Sequence, residues 1–106
     1  MRPAADQSAF YAIADPTRRE LLAMLRSGER SASDLAAPFA TSRSAVSQHL
    51  GILLESGLVE RTRDGRRQLY RLRPGPLREV VSWVDQFDAF WEDRLTRLGQ
   101  YLDGGR

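Results

Sequence analysis

The sequence predicts a mostly α-helical domain that carries a small β-hairpin. Three features lead there: two short capped helical segments joined by a tight turn, an alternating arginine-rich stretch folded at Asp64-Gly65, and a long amphipathic segment near the C-terminal end. A chain of 106 residues suits one domain, spanning residues 1–106, that buries roughly two-thirds of its unfolded surface.

The elements follow in order. Phe10, Ile13 and Ala14 fall at helical spacing and place a first helix at about residues 6–14. Asp15-Pro16 closes it and opens the next: Asp15 can cap free amides, and Pro16 suits a first turn that needs no donor. Leu21, Leu22 and Leu25 form that helix's apolar stripe, with Arg18 and Arg19 near its start, and Gly28 ends it. Ser31 or Ser33 caps a short helix through Asp34-Leu35-Ala36-Ala37, and Phe39 packs inward after it. Thr41-Ser42 then caps a helix whose Val46, Leu50, Leu53 and Leu54 face the core, and Gly57 stands where a left-handed residue ends a helix. Two short helices joined this way are a helix-turn-helix.

Periodicity then changes from helical to alternating. Residues 58–63 read as one strand and 68–72 as its partner, with Asp64-Gly65 as a tight-turn signal between them. A hairpin directly after a helix-turn-helix is a wing, so the expected architecture is a winged helix-turn-helix of about five helices with a two-stranded wing. Beyond Pro74-Gly75-Pro76 comes a helix over about 77–102, some 39 Å long at about 1.5 Å per residue. Val80, Val84, Phe87, Trp91, Leu95, Leu98 and Leu102 form its stripe, flanked by Trp83, Phe90 and Tyr101.

Charge is unevenly spread. Residues 1–40 are neutral, residues 41–73 carry +4 and residues 74–106 carry −2. All sixteen basic residues are arginine, whose planar fork suits phosphates and guanine edges. A basic middle third is what a face meeting a polyanion requires. On the helix opened by Ser42, the core-facing stripe leaves Arg43, Ser44, Ser47 and Gln48 outward near its start. These side chains can read base edges. Thr41, Ser42, Arg61, Arg63, Arg66 and Arg67 are the candidates for the DNA backbone or minor groove; Arg66 and Arg67 adjoin the hairpin tip, while Arg71 and Arg73 lie along its exit. The long helix carries more aromatic area than a small monomer covers, and exposed patches of that kind mark partners. A homodimer through the two terminal helices is expected, with Phe10, Ile13, Val84, Phe87, Trp91, Leu95 and Leu98 at its interface.

Other classes fare poorly. There is no cysteine and no lysine, and His49 is the one histidine. Disulfides, thiolate metal sites and thiol catalysis are excluded, and no nucleophile elbow or phosphate loop occurs, so no catalytic residue is assigned. His49 reads as a structural or phosphate-contacting residue, and neither a metal nor a cofactor is expected. No apolar run nears the roughly 18 residues of a membrane span. The stretch from Met1 to Asp6 lacks the apolar part of a secretory signal, so a cytoplasmic location without membrane contact is expected.

These residues resemble the ArsR-type winged helix-turn-helix repressors. The likeness lies in Ala14-Asp15-Pro16-Thr17-Arg18, in the recognition-helix stretch from Ser42 to Leu50, in Leu53-Leu54-Glu55-Ser56-Gly57-Leu58-Val59, and in the wing segment from Gly65 to Tyr70. The resemblance implies a dimeric repressor that occupies an inverted repeat in double-stranded DNA and leaves when a signal arrives, carried by an unknown small molecule or protein effector. Many members sense metals through cysteines on the helix before the recognition helix, or through Asp/His pairs on the last helix. Here Ser33-Asp34-Leu35 has no cysteine and the last helix no histidine, so metal sensing does not carry over. Gly51 departs from a lysine frequent in the family; glycine inside a helix costs up to about 1 kcal/mol, and one phosphate contact is lost. The alternative is a winged-helix dimerisation module without DNA binding, against which Arg43, Gln48 and the arginine wing argue.

Overall fold

Four hydroxyl or carboxylate caps set the helical half of the molecule. In the computed structural model, which describes residues 8–104, Ser8 Oγ accepts from the Tyr11 amide at 3.0 Å and starts α1 (Ala9–Ala12). The sequence begins this helix near Asp6, which lies outside the described residues. Asp15 Oδ2 accepts from the Thr17 and Arg18 amides at 2.8 and 3.1 Å and opens α2 (Pro16–Met24) with proline in its first turn. A 3₁₀ turn (Leu25–Ser27) continues α2, and Gly28 follows with a φ of 138°. Ser31, not Ser33, caps α3 (Ala32–Ala36), accepting from the Asp34 amide at 3.1 Å. Ser42 Oγ accepts from the Ala45 amide at 3.1 Å and starts α4 (Arg43–Glu55).

The end of α4 is a Schellman motif. The Leu58 amide reaches back to the Leu53 carbonyl at 3.0 Å and the Gly57 amide to Leu54 at 3.1 Å, while Gly57 takes a φ of 76°. Leu58 is thereby buried, and β2 (Val59–Asp64) runs directly from it into β3 (Arg67–Leu72). The turn sits one residue later than the sequence suggests: Asp64 pairs with Arg67, so Gly65-Arg66 forms the loop. Gly65 has a φ of 65° and Arg66 no positive φ, the pattern of a type II′ hairpin with glycine at its first position.

The sheet has three strands, not two. β1 (Arg30–Ser31) pairs antiparallel with β3, Arg30 opposite Tyr70 and Ser31 opposite Leu69, giving the order β1-β3-β2. Leu21, Leu22, Leu25, Leu35, Val46, Leu50, Leu53, Leu58, Val59 and Tyr70 make one buried cluster between α2, α3, α4 and the base of the wing. Phe39 and Leu54 pack against it half-buried.

The last helix is also divided. α5 (Leu77–Asp85) and α6 (Asp88–Gly104) are separated at Gln86 and Phe87, whose amides bond to the carbonyls of Trp83 and Val84 three residues back. This tightening breaks the α-helical ladder without a proline or glycine to announce it. Leu77 and Val80 pack on the core, whereas every residue from 81 to 100 is exposed. The side chain of Tyr101 lies outside the described residues. No helix among the described residues is long and apolar enough to cross a membrane.

Candidate nucleic-acid interface

The burial of Val46, Leu50 and Leu53 fixes which way α4 turns. Ser44, Ser47 and Gln48 are consequently exposed, as is Arg43. Arg43 differs from the other three in having a partner: its Nη2 donates to Ser33 Oγ on α3 at 3.0 Å. It thus leans over a cavity of about 180 Å³ between α3, α4 and β3, which Ser47 and Gln68 also line and Tyr70 and Leu50 floor. Gln68 was not legible as a site residue. The available signal is strand alternation, which puts it on the same face of β3 as buried Tyr70 and opposite Arg63. Thr41 is exposed, and Ser42 is occupied as the helix cap.

The wing sorts its arginines into two groups. On one face Glu60 lies opposite Arg71 and accepts from its Nε at 2.8 Å, while Glu60 Oε2 accepts from Arg73 Nη1 at 2.9 Å. Hydrogen bonds from Arg73 and Arg71 hold the Glu60 carboxyl below the ordinary glutamate range, so it stays ionised and neutralises part of that pair. Arg61 and Arg63 emerge on the face that carries Val59 and Tyr70, but beyond the core, and are exposed. Arg66 sits in the loop and Arg67 beside it, both bordering an open depression shared with Ser31, Ser33 and Asp34. Among the described residues, Arg61, Arg63, Arg66 and Arg67 have no hydrogen-bond or ion-pair partner. Their guanidinium groups are free to meet phosphate.

Behind α4 lies a polar cluster that the sequence reading missed. Arg18 is 7% exposed. Its Nε donates to the Ala12 carbonyl at 2.7 Å, its Nη2 to the Tyr11 carbonyl at 3.0 Å, and its Nη1 lies 3.1 Å from His49 Nδ1. Asp15 Oδ2 is 3.9 Å from the same ring nitrogen. Burial pushes the Asp15 carboxyl up, but the amides of Arg18 and Thr17 and the charge of the Arg18 side chain hold it below the ordinary range. The signal was present: Arg18 shares the buried face of α2 with Leu21, Leu22 and Leu25.

This geometry, with an exposed polar recognition helix beside a wing of unpaired arginines, has close counterparts. A helix-turn-helix domain family matches residues 13–62. The transcriptional repressor SdpR of Bacillus subtilis (strain 168) is 35% identical over 80 residues, 76% of this chain and 89% of that protein. A solved structure described as a possible transcriptional regulator for arsenical resistance is 47% identical, with a TM-score of 0.69 over 90% of this chain and 94% of the other. An ArsR-like transcriptional regulator from Rhodococcus sp. RHA1 is 36% identical, with a TM-score of 0.65 over 92% of each chain. The chain belongs to the ArsR family.

As an ArsR-family member it is a DNA-binding transcriptional regulator, and its winged helix-turn-helix is the family's fold. Another part of its surface is apolar. Phe10 meets Trp83 edge-on at 6.1 Å, Trp83 meets Phe87 at 5.2 Å, and Phe90 meets Trp91 at 5.3 Å. These rings are themselves exposed, as are Val84, Leu95 and Leu98, with Trp91 at 55% and Leu95 at 67%. Ile13 is placed differently: it is half-buried on the core and borders a groove with Leu22, Leu72 and Leu77. Among the described residues no group of three or more histidine, cysteine, aspartate or glutamate side chains is arranged to hold a metal ion.

Proposed function

We propose that this ArsR-family regulator is a two-fold dimer that represses transcription by occupying an inverted repeat, and that its release from DNA is triggered by something other than a metal ion. The observation that carries the dimer is the exposed apolar face running from Phe10 and Trp83 through Phe87 and Trp91 to Leu98. A face of that length is costly to leave in water, and a two-fold contact lets identical patches cover one another. Two recognition helices related by that axis would enter successive major grooves about one DNA turn apart, which makes the operator an inverted repeat. The wing arginines supply attraction to any duplex, and Ser44, Ser47, Gln48 and Arg43 supply the choice of bases.

A trigger other than metal is supported by the donor set. The chain has no thiolate to offer, and the Nδ1 of its one histidine already faces Arg18 at 3.1 Å. A small molecule or a protein partner is the kind of effector this reading allows, a regulator without any effector being the alternative. Sedimentation of the native chain, of 12.0 kDa, should give a species of about 24 kDa, and Trp91→Arg should give monomer or aggregate. A monodisperse native monomer at micromolar concentration would refute the dimer. Duplexes selected by the protein from a random library should share an inverted repeat. Their binding should be unchanged by stoichiometric zinc, cadmium or arsenite; a tenfold metal-dependent change would sink the last part of the proposal.

A further inference from the structure

Arginine has N–H donors and no acceptor. The 3.1 Å approach of Arg18 Nη1 to His49 Nδ1 is therefore a hydrogen bond only if that nitrogen is unprotonated and accepts. The ring proton must then sit on Nε2, and the imidazole is the neutral Nε2–H tautomer. Arg18 meanwhile gives its other two bonds to the carbonyls of Tyr11 and Ala12, at the C-terminal end of α1. Those carbonyls are among the acceptors a helix end leaves without a partner inside the helix. One guanidinium thus bridges the end of α1 and the middle of α4, and its ring contact with Tyr11, at 5.2 Å, adds to the hold on α1.

The bridge lies on a continuous line of contacts. Phe10 on α1 touches Trp83 on α5; α1 hangs from Arg18; Arg18 holds His49; and His49 stands next to Gln48 on the recognition helix. α1 has four residues, too few to hold a fixed place without external bonds. Asp15, whose carboxylate lies 3.9 Å from the His49 ring nitrogen and feels the Arg18 charge, gives the buried guanidinium an anion in the same cluster.

We infer that His49 is a positioning residue for operator recognition: accepting from Arg18 through Nδ1, it ties the orientation of the recognition helix to the helix that carries Phe10. His49 reads no base in this scheme and acts through Gln48 and its neighbours. The inference rests on the DNA-reading role given to α4, and it requires an acceptor at the Nδ1 position, not a charge.

With a single histidine in the chain, a long-range ¹H–¹⁵N spectrum of tag-free protein reports His49 alone. It should show a protonated Nε2 and a bare Nδ1 at neutral pH. Duplexes selected by the wild type from a random library, and scrambled versions of them, then serve as probes. His49→Phe keeps the ring's bulk without the acceptor and should lower the ratio of selected to scrambled binding by roughly tenfold, leaving scrambled binding nearly unchanged. His49→Asn keeps an acceptor near Nδ1 and should hold that ratio close to wild type, whereas His49→Gln, whose amide reaches the Nε2 position, should not. A proton on Nδ1, or a folded His49→Phe with the wild-type ratio, overturns the inference. Should His49→Phe fail to fold, equal ratios for Asn and Gln overturn it, and an Asn ratio well above Gln supports it. A wild type that selects no duplex would instead undo the DNA-reading role itself, so the two failures are distinguishable.

Discussion

The wing offers a quantitative test, because only some of its arginines are free to release counterions. Each phosphate neutralised contributes about 0.9 to the slope of log affinity against log salt. Arg66, in the hairpin loop, has no partner among the described residues. The proposed dimer would present it twice, so Arg66→Ala is expected to flatten the slope by about 1.8. Over a fourfold rise in salt, from about 50 to 200 mM, that amounts to roughly one decade of affinity. Arg71 starts from a different state: Glu60 already holds it and Arg73. Arg71→Ala should therefore change the slope little, and Glu60→Gln, which releases both arginines, should steepen it.

The assay is fluorescence anisotropy of a labelled duplex over a salt series, on a selected operator and on its scramble. Because phosphate contacts carry no sequence information, both duplexes should shift together for Arg66→Ala. If Arg71→Ala flattens the slope as much as Arg66→Ala, the Glu60 clamp opens on DNA, and sorting the arginines by their partners in the free protein is wrong.

Gln48→Ala should behave in the opposite sense, weakening the selected duplex by roughly 1–3 kcal/mol and relaxing preference at particular base pairs with an unchanged salt slope; uniform loss on all duplexes would contradict its reading role. Gly51→Ala should stabilise the protein by roughly 0.5–1 kcal/mol, since the position is in mid-α4 and an added Cβ meets nothing within 4 Å; a lower urea midpoint would refute this. Asp15 is held below its ordinary range in the folded protein, so the unfolded chain takes up the proton first as pH falls. Its contribution is complete above the ordinary aspartate range and disappears as pH drops through the depressed folded value. Urea midpoints from pH 7 down to 3 should converge for wild type and Asp15→Asn, which keeps a capping oxygen; parallel curves would argue against it.

The parts of this fold that were legible in the sequence are those written in local chemistry. Asp15, Ser42 and Gly57 are caps whose side chain or backbone freedom matters within a few residues. The hairpin was legible from alternation and glycine, and so was the place of Arg66 at its tip, although the loop fell one residue later, which put Asp64 and Arg67 into the strands. What escaped depends on partners distant in sequence. β1 has two residues, too short for any alternation, and exists because Tyr70 and Leu69 lie beside it. The interruption at Gln86 and Phe87 keeps the apolar spacing, so periodicity reads straight through it. Arg18 looks like an exposed charge at a helix start until the carbonyls of α1 and the ring of His49 are placed around it.

The same placement revises what the charge of the middle third means. Its +4 counts every arginine alike, but Arg71 and Arg73 are bound to Glu60 and Arg43 rests on Ser33. The unpartnered charge is concentrated in Arg61, Arg63, Arg66 and Arg67, which run from the position opposite Tyr70 out to the loop. In the proposed scheme holding and reading fall to different elements, and their separation has to be fixed for both to act on one duplex. The core does this. Leu50 and Val46 beneath Gln48, and Val59 and Tyr70 at the root of the wing, belong to the same buried cluster. Rotation of α4 relative to the hairpin would open that cluster, and burying a side chain such as leucine contributes about 1.5–3 kcal/mol. The distance between the face proposed to read bases and the tip proposed to hold phosphate is therefore set by apolar packing, with no direct contact between the two needed.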